Sequence, residues 1–427
     1  MYDLIIVGAG MAGLRVGIEA LKRNPTLNCC ILEKYDYVGG RVVTFHKRIP
    51  NVGEIQWEIG SGRISKKHTK VLALLRKYGL TFAPNMGQTD FIHESRSIVE
   101  ENPFTKLQEV YLRPLEGLSA NTLAQHTLKE LLDLTIGSAK AKKFYETFPY
   151  YSEIHTLRAD IAIDSFHNEM HSNEGFGGCV EGNSRITDGM RSEFLSNGKI
   201  LMNTELTGIT HDGACILHCK KVDSGKRFVL TAKTCVLALH QDAIRHIQGV
   251  RNLPVLRYLK MEPLLRIYAV FPVQNGKSWF SDLKKTVTDS PIRYIIPINP
   301  SKGVVMISYT DGADTKFWTK KCSGSDGLKR VEHAVLAEIR KLFPQYRIPN
   351  PILFKFFPWH SGCTYWLPGT YDVEEESTKS LQPLPDTMPC VFMCGESFAV
   401  HQCWMESALD QADKLLGLKA FNDAIRV

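Results

Sequence analysis

The sequence is poor in the features that mark membrane, secreted and metal-binding proteins. Its longest apolar runs, such as residues 235–239, are far shorter than the roughly 20 residues that a membrane-spanning helix needs. Residues 2–7 are typical of a β-strand and not of the basic start of a secretory leader. The eleven cysteines include no Cys-x-x-Cys pair and no second pair at zinc spacing. We therefore expect a soluble cytoplasmic protein without a membrane anchor or a bound metal, whose thiols are reduced and mostly buried.

An excess of one charge is missing as well. The chain has 52 Lys and Arg residues against 45 Asp and Glu residues, a net charge of +7 over 427 residues. Its densest basic stretches, residues 66–70 and 140–143, also carry apolar residues at helical spacing, which is typical of solvated helix faces. With 44% hydrophobic residues and no internal repeat, the chain can bury a large core. This pattern excludes a disordered or fibrous protein and predicts no nucleic-acid partner.

The strongest pattern present is a glycine-rich motif near the N-terminus. An apolar run ends at Gly8, and the sequence Gly-Ala-Gly-Met-Ala-Gly then leads into residues at helical spacing. In this motif Gly8 makes the tight turn, Gly10 leaves room for a pyrophosphate, and Gly13 lets the helix pack closely on the strand. A second short apolar run ends in Glu33, where a carboxylate can accept hydrogen bonds from ribose hydroxyls. The motif predicts a dinucleotide-binding domain.

The residues that follow indicate which dinucleotide is bound. Leu32-Glu33-Lys34, followed by Val38-Gly39-Gly40-Arg41, closely resembles the signature of the FAD-binding flavin amine oxidases and their relatives. The resemblance implies FAD in an extended form. It also implies an α/β fold: a doubly wound Rossmann-type FAD-binding domain of the amine-oxidase type, interleaved with an α+β substrate domain. It is strong at both ends of the chain and looser between them.

Three further segments carry the resemblance. Residues 60–63 resemble the loop beneath the flavin, residues 199–206 the strand near the adenine, and residues 395–408 the C-terminal flavin motif. The predicted cofactor-binding residues are Gly8, Gly10, Met11, Ala12, Gly13, Glu33, Lys34, Gly40, Arg41, Gly60, Ser61, Gly62, Arg63, Leu206, Gly395, Glu396, Trp404, Met405 and Ala408.

The order of element types gives the expected domain boundaries. The FAD-binding domain is predicted from residues 1–80, 176–250 and 385–427. The substrate-binding domain is predicted from residues 81–175 and 251–384. Residues 104–170 are predicted to be largely helical, with Thr122 as an N-cap before an apolar stripe.

Amine-oxidising members of the family hold the amine in an aromatic slot, and five aromatic or imidazole side chains are candidates for it here. Trp404 stands where these enzymes carry an aromatic residue or threonine, so we predict it as one wall of the slot and as a catalytic residue. Core or turn aromatics are an equal alternative for residues 359, 365 and 366. The predicted substrate-binding residues are Trp359, Tyr365, Trp366 and His401.

Two positions depart from the family pattern. Most amine oxidases carry a lysine on the strand that residues 263–270 resemble, and here Arg266 takes its place as a predicted catalytic residue. Arginine cannot act as a base, although Arg266 could stabilise reduced flavin, bind a substrate carboxylate, or point to solvent. The Ser361-Gly362-Cys363 segment resembles the covalent flavin attachment of monoamine oxidases. Depending on the alignment, Cys363 or Ser361 occupies the attachment position, and a free buried thiol is the alternative.

The resemblance therefore implies an FAD-dependent amine oxidase. Such an enzyme oxidises the C–N bond of a small-molecule amine by hydride transfer to FAD, and molecular oxygen reoxidises the flavin to give hydrogen peroxide. One alternative is a related flavoenzyme that acts on C–C or dihydro-ring substrates, which the missing lysine favours. Another is a flavin-binding protein without amine turnover.

Overall fold

A computed structural model describes residues 1–84, 89–93, 99–101, 108–167 and 175–426, with backbone only for residues 99–101. The predicted helical stretch 104–170 therefore extends outside the described residues at both ends. The strands are β1 (Tyr2–Val7), β2 (Cys29–Leu32), β3 (Thr44–Ile49), β4 (Gly53–Glu58), β5 (Ile64–Ser65), β6 (Phe82–Pro84), β7 (Thr89–Ile92), β8 (Val99–Glu101), β9 (Phe176–Cys179), β10 (Lys199–Leu201), β11 (Thr204–His211), β12 (Cys215–Lys221), β13 (Arg227–Leu237), β14 (Leu259–Val270), β15 (Lys285–Thr288), β16 (Tyr294–Asn299), β17 (Val304–Asp311), β18 (Leu353–Trp366) and β19 (Val391–Met393).

The α-helices cover both ends of the chain and much of the segment between β8 and β9. They are α1 (Met11–Arg23), α2 (Thr69–Lys77), α3 (Ala120–Ala124), α4 (Leu128–Ile136), α5 (Ser138–Thr147), α6 (Tyr151–His155), α7 (Ala159–Ser165), α8 (Ser184–Leu195), α9 (Gln241–Arg245), α10 (Thr315–Lys321), α11 (Gly327–Leu342), α12 (Val373–Ser380), α13 (Met405–Gly417) and α14 (Lys419–Ala424). None of the helices in these described ranges is long and apolar enough to cross a membrane.

The first sheet has the strand order β10-β2-β1-β13-β12-β11, and β19 pairs with the end of β13. Strands β10, β2, β1, β13 and β19 run parallel, whereas β12 runs antiparallel to its two neighbours β13 and β11. Leu4 and Ile6 of β1 pack in one core with α1 and α13, while Ile5 and Val7 pack in a second core on the opposite face. Burial of both faces explains why residues 4–7 of β1 and all of β2 are continuous apolar runs.

The second sheet has the order β18-β14-β17-β16-β15-β7-β8. Long strand β14 pairs antiparallel with β17 on one side and with β18 on the other. Side chains of α10 and α11 pack on one face of this sheet. On the other face lies the β3–β4 hairpin, whose Trp57 ring stacks on Tyr268 with ring centroids 4.9 Å apart. The mixed α/β fold with a doubly wound sheet is confirmed.

The domain boundaries stay a prediction. The β3–β4 hairpin lies within the predicted FAD-binding segment 1–80, yet its apolar side chains pack on β14 and β17 of the second sheet.

Several local expectations are wrong. Residues 199–206 form two strands and not one, because Asn203 adopts a left-handed backbone with φ 52° between β10 and β11. Thr122 is not an N-cap: Ser119 caps α3, and Thr127 caps α4 in a reciprocal capping box with Glu130.

The expectation of reduced thiols throughout is also wrong. Cys215 and Cys390 form a disulfide, with Cα atoms 6.4 Å apart. Strand β12 and the residues just before β19 lie along the same edge of β13, so topology joins cysteines that are 175 residues apart in sequence.

Candidate functional site

A cavity of about 1520 Å³ begins at the carboxyl ends of β1, β2 and β13 and extends to β14–β18 of the second sheet. Ligands of open α/β sheets bind at the carboxyl ends of their strands. The volume exceeds the roughly 300–1,000 Å³ of ordinary small-molecule sites. The cavity can therefore hold a large cofactor together with a substrate.

The glycine-rich turn forms one end of the cavity, and its glycines serve different purposes. A Cβ on Gly13 would lie 1.9 Å from the carbonyl oxygen of Gly8, so this glycine lets α1 pack against β1. A Cβ on Gly10 would meet nothing nearer than the carbonyl oxygen of Gly39 at 4.0 Å, and Gly10 lines the cavity. Space is thus left open at the N-terminus of α1, where helix N–H groups favour a phosphate.

Glu33 lies beside this turn and is buried, with 6% of its surface exposed. Its Oε2 accepts a hydrogen bond of 2.8 Å from the Ala9 N–H, and its Oε1 accepts one of 3.0 Å from the Tyr35 N–H. Burial raises the pKa of Glu33, and these backbone donors oppose the rise. Because a carboxylate can accept about four hydrogen bonds, lone pairs remain for the hydroxyls of a ribose.

An ion pair in the cavity wall joins residues from the two ends of the chain. Arg41 Nη2 pairs with Glu396 Oε2, and Arg41 Nη1 donates a 2.8 Å hydrogen bond to the carbonyl oxygen of Gly362. Glu396 Oε1 accepts a 2.6 Å hydrogen bond from the N–H of Cys403. The N-terminal and C-terminal motifs are therefore joined in one site.

The structure brings the predicted cofactor-binding residues together along this cavity, with one exception. Gly13 is the exception, because it supports helix packing and does not line the cavity. The residues that do line it are Gly8, Gly10, Met11, Ala12, Glu33, Lys34, Gly40, Arg41, Gly60, Ser61, Gly62, Arg63, Leu206, Gly395, Glu396, Trp404, Met405 and Ala408. Their individual contacts with a cofactor stay predictions.

Three tyrosines form the far end of the cavity. The rings of Tyr150, Tyr294 and Tyr309 make a triangle with centroids 6.2–6.3 Å apart. Burial raises the pKa of Tyr150 and of Tyr294 to about 12, so both phenols stay neutral and can donate hydrogen bonds at physiological pH.

Two cations border this tyrosine triangle. The guanidinium carbon of Arg63 lies 5.9 Å from the Tyr150 ring centroid and 5.5 Å from that of Trp404. Lys285 Nζ lies 5.5 Å from the Tyr294 centroid, and burial lowers the pKa of this lysine to about 8. From the sequence, Arg63 is predicted to bind the cofactor. Lys285 is not predicted, because nothing in the pattern around residue 285 distinguishes it from a surface lysine.

Arg266 faces the cavity and not the solvent. Its Nη1 donates a 2.9 Å hydrogen bond to the carbonyl oxygen of Glu58, and its guanidinium carbon lies 5.5 Å from the Tyr309 centroid. A Cβ on Gly62 would lie 2.7 Å from Arg266 Nη1, so the glycine makes room for the guanidinium. The solvent-facing alternative is therefore excluded, and a catalytic role for Arg266 stays a prediction.

Two carboxyl groups that the sequence analysis misses also line the cavity. Burial raises the pKa of Glu58 to about 7 and raises the pKa of Glu153 as well. Glu153 Oε1 lies 3.4 Å from the Tyr365 hydroxyl, and its Oε2 has no hydrogen-bond partner among the described residues. Burial therefore favours the protonated, uncharged form of Glu153.

Two predicted substrate-binding residues do not line the cavity. Trp366 is fully buried, because it points away from the face of β18 that carries Tyr365. Its Nε1 donates a 2.8 Å hydrogen bond to the carbonyl oxygen of Ala399. His401 is exposed, with its Nδ1 3.5 Å from Asp164 Oδ2. Tyr365 lines the cavity, and its contact with a substrate stays a prediction.

The remaining two predicted aromatics also border the cavity. Trp359 donates a 2.6 Å hydrogen bond from its Nε1 to the carbonyl oxygen of Ile59, which fixes its ring. Trp404 stacks on Phe176 with ring centroids 5.8 Å apart.

Comparison with known proteins identifies the class of enzyme. The family model of flavin-containing amine oxidoreductases matches residues 11–172 and 143–414. The chain belongs to this family. The expected FAD cofactor and the expected class of enzyme, an oxidoreductase of the amine-oxidase family, are therefore confirmed.

Similarity to individual members of the family is low but extends over the whole chain. Achacin of Lissachatina fulica is 22% identical over 95% of this chain and 91% of its own. Putrescine oxidase bound to putrescine has a TM-score of 0.73 at 16% identity, covering 100% of this chain and 99% of its own. A protein from Exiguobacterium sp. 255-15 that is described as a protoporphyrinogen oxidase has a TM-score of 0.73 at 16% identity, covering 97% and 98%. These likenesses support the fold and leave the substrate open.

Proposed function

We propose that the protein is an FAD-dependent oxidase of a small amine that carries an anionic group. The observation that carries this proposal is the placement of Arg63 and Lys285 beside the tyrosine triangle at the far end of the cavity.

The charges at this end of the cavity favour an anion over a second cation. Arg63 and Arg266 are positively charged, Lys285 with its pKa of about 8 is mostly so at neutral pH, and burial favours the uncharged form of Glu153. A diamine such as putrescine would bring an additional ammonium group toward these cations. An arginine can instead bind a carboxylate through two parallel hydrogen bonds, and the low dielectric of a buried site strengthens that pair.

FAD, when bound, supplies the two-electron acceptor for the C–H bond next to the amine nitrogen. The protein's own residues bind and orient the substrate. Arg63 and Lys285 hold its anionic group, and the rings of Tyr150 and Trp404 border the space for its carbon chain. We also propose that molecular oxygen accepts the electrons from the reduced flavin and is converted to hydrogen peroxide.

A second candidate function is favoured by Arg266. An arginine cannot remove a proton from a substrate's ammonium group. Oxidation of a C–C or dihydro-ring bond does not need the residue at position 266 to remove such a proton. Such a substrate would also carry an anionic group, because the same cations line the cavity.

Matched amines test the proposal. The purified flavoprotein is mixed anaerobically with amino acids and with the amine that each gives on loss of its carboxylate, and flavin absorbance is followed. We expect bleaching with the amino acid, much slower bleaching with its decarboxylated partner, and peroxide on admission of air. Equal bleaching by both partners, or bleaching by diamines alone, would refute the anionic substrate. No bleaching by any amine would favour the second candidate.

A further inference from the structure

Two thiols meet in the wall of the cavity. Cys363 lies in β18 and Cys403 lies just before α13, and the Cys403 thiol donates a 3.5 Å hydrogen bond to the carbonyl oxygen of Thr364, the residue that follows Cys363. Both cysteines are free and line the cavity. Forty residues of chain separate them, so the fold and not local sequence brings them together.

Both cysteines are held in place by backbone contacts. Cys363 pairs with Glu262 across the β14–β18 ladder. The N–H of Cys403 donates a 2.6 Å hydrogen bond to Glu396 Oε1, and the Cys403 backbone has a left-handed φ of 72°. This φ is uncommon for a residue other than glycine and marks a backbone that its surroundings hold in place. The pair is therefore a built feature of the cavity wall.

The two thiols differ chemically. The neighbouring Cys403 thiol lowers the pKa of Cys363, and the positive charge of Arg41 acts in the same direction, although burial and the Glu396 carboxylate oppose both. The Cys363 thiol and burial raise the pKa of Cys403. Redox-sensitive cysteine pairs likewise combine a thiol whose lowered pKa favours the thiolate with a second thiol that can resolve it.

We propose that Cys363 and Cys403 form a peroxide-reactive dithiol that closes to a disulfide in the wall of the cavity. In the first step the Cys363 thiolate attacks hydrogen peroxide, so that an S–O bond forms, the O–O bond breaks and one water is released after protonation. In the second step Cys403 attacks that sulfur, so that the S–S bond forms, the S–O bond breaks and a second water leaves. The dithiol loses two electrons and the peroxide gains them.

This reaction has a consequence for the cavity. The disulfide would tie β18 to the segment that carries Trp404 and Met405, both of which line the cavity. It would also remove two hydrogen-bonding thiols beside the Arg41–Glu396 pair. The proposal does not depend on the substrate, because peroxide can be added directly.

Peptide mapping tests the proposal on the intact flavoprotein. The protein is reduced, desalted, treated with increasing hydrogen peroxide, blocked with N-ethylmaleimide and digested without reductant. We expect a linked pair of peptides containing residues 363 and 403, lighter by two hydrogens than the separate peptides and lost on adding dithiothreitol. The Cys403→Ser variant should instead trap a sulfenic acid at Cys363, which dimedone labels. Cys403→Gly, which suits the left-handed backbone, is the second variant if Cys403→Ser fails to fold.

The control is Cys322→Ser, which removes a partly exposed cysteine on α10's C-terminal side and should leave the linked peptides unchanged. Full N-ethylmaleimide labelling of both cysteines after peroxide treatment would overturn the proposal. A flavin adduct on Cys363, visible as a mass increase that dithiothreitol does not remove, would also overturn it.

Discussion

Arg41 and Glu396 form an ion pair in the cavity wall although 355 residues separate them in the sequence. Glu396 is almost completely buried, while Arg41 keeps about a quarter of its side chain exposed. Removal of one partner would leave the other charge in a poorly solvated site, which costs more than loss of an exposed pair.

We therefore expect Glu396→Ala to lower the free energy of unfolding of the flavin-free protein by about 3 kcal/mol. Flavin occupancy should fall as well, because Glu396 also positions the backbone of Cys403. Urea denaturation and the ratio of flavin to protein absorbance measure the two effects. The control is Glu375→Ala, which breaks the exposed pair with Lys379 and should change stability by less than about 1 kcal/mol. Equal effects of both variants would contradict the role of the buried pair.

Gly10 and Gly13 should respond differently to the same substitution. Gly10→Val places a side chain in the open part of the cavity, so we expect a folded protein that does not bind FAD. Gly13→Val forces α1 away from β1 and should lower the melting temperature sharply. Circular dichroism melting and flavin content distinguish these outcomes. Full flavin occupancy in Gly10→Val would show that the phosphates bind elsewhere.

Arg63 and Lys285 should determine substrate charge. Loss of one charged hydrogen-bonding partner costs roughly 1.5–3 kcal/mol, so Arg63→Gln should lower kcat/KM for an amino acid by about 10- to 100-fold. The decarboxylated amine should be affected much less. Lys285→Gln should also lower kcat/KM for the amino acid below pH 8, where the lysine is positively charged because its pKa is about 8. Steady-state kinetics with matched substrates measure both variants, and a similar loss for both substrates would assign these residues to the cofactor or the fold.

Glu58 should make stability depend on pH. Burial raises its pKa from 4.5 to about 7, so the folded protein binds the proton more tightly than the unfolded chain does. The contribution to stability is complete below about pH 4.5 and is lost as pH rises through about 7. The free energy of unfolding of Glu58→Gln, relative to that of the unchanged protein, should therefore rise by about 1–3 kcal/mol from pH 5 to pH 8. Chemical denaturation of both proteins at both pH values measures this change. If the difference between the two proteins were the same at pH 5 and pH 8, Glu58 would be charged in the folded state.

The parts of the fold and site that follow from the sequence are those encoded by neighbouring residues. The glycine-rich turn, Glu33 and the C-terminal Gly395–Glu396 segment depend on local geometry, which the sequence pattern specifies. The side of a strand on which a residue lies is harder to predict, because a shift of one residue reverses it. Tyr365 and Trp366 illustrate this: one lines the cavity and its neighbour lies in the core.

Contacts between distant segments could not be predicted where the family resemblance does not cover them. Lys285 enters the cavity because β15 lies between β16 and β7, and a single sequence contains no signal for that order. The same holds for the Cys215–Cys390 disulfide and for the hydrogen bond of the Cys403 thiol to Thr364 beside Cys363. Burial of Glu58 and Glu153 also depends on the tertiary structure, and with it the charge of the cavity.

The β3–β4 hairpin limits how the chain can be divided. Trp57 of the hairpin covers Tyr268 of the second sheet, and the carbonyl oxygen of Glu58 at the end of β4 accepts hydrogen bonds from both Arg266 and Tyr268. A fragment holding only the strands of the second sheet would expose this aromatic face to water and lose the acceptor for the Arg266 and Tyr268 donors. The second sheet thus depends on the hairpin, and truncation at the predicted boundary after residue 80 should yield aggregated protein in place of a stable half.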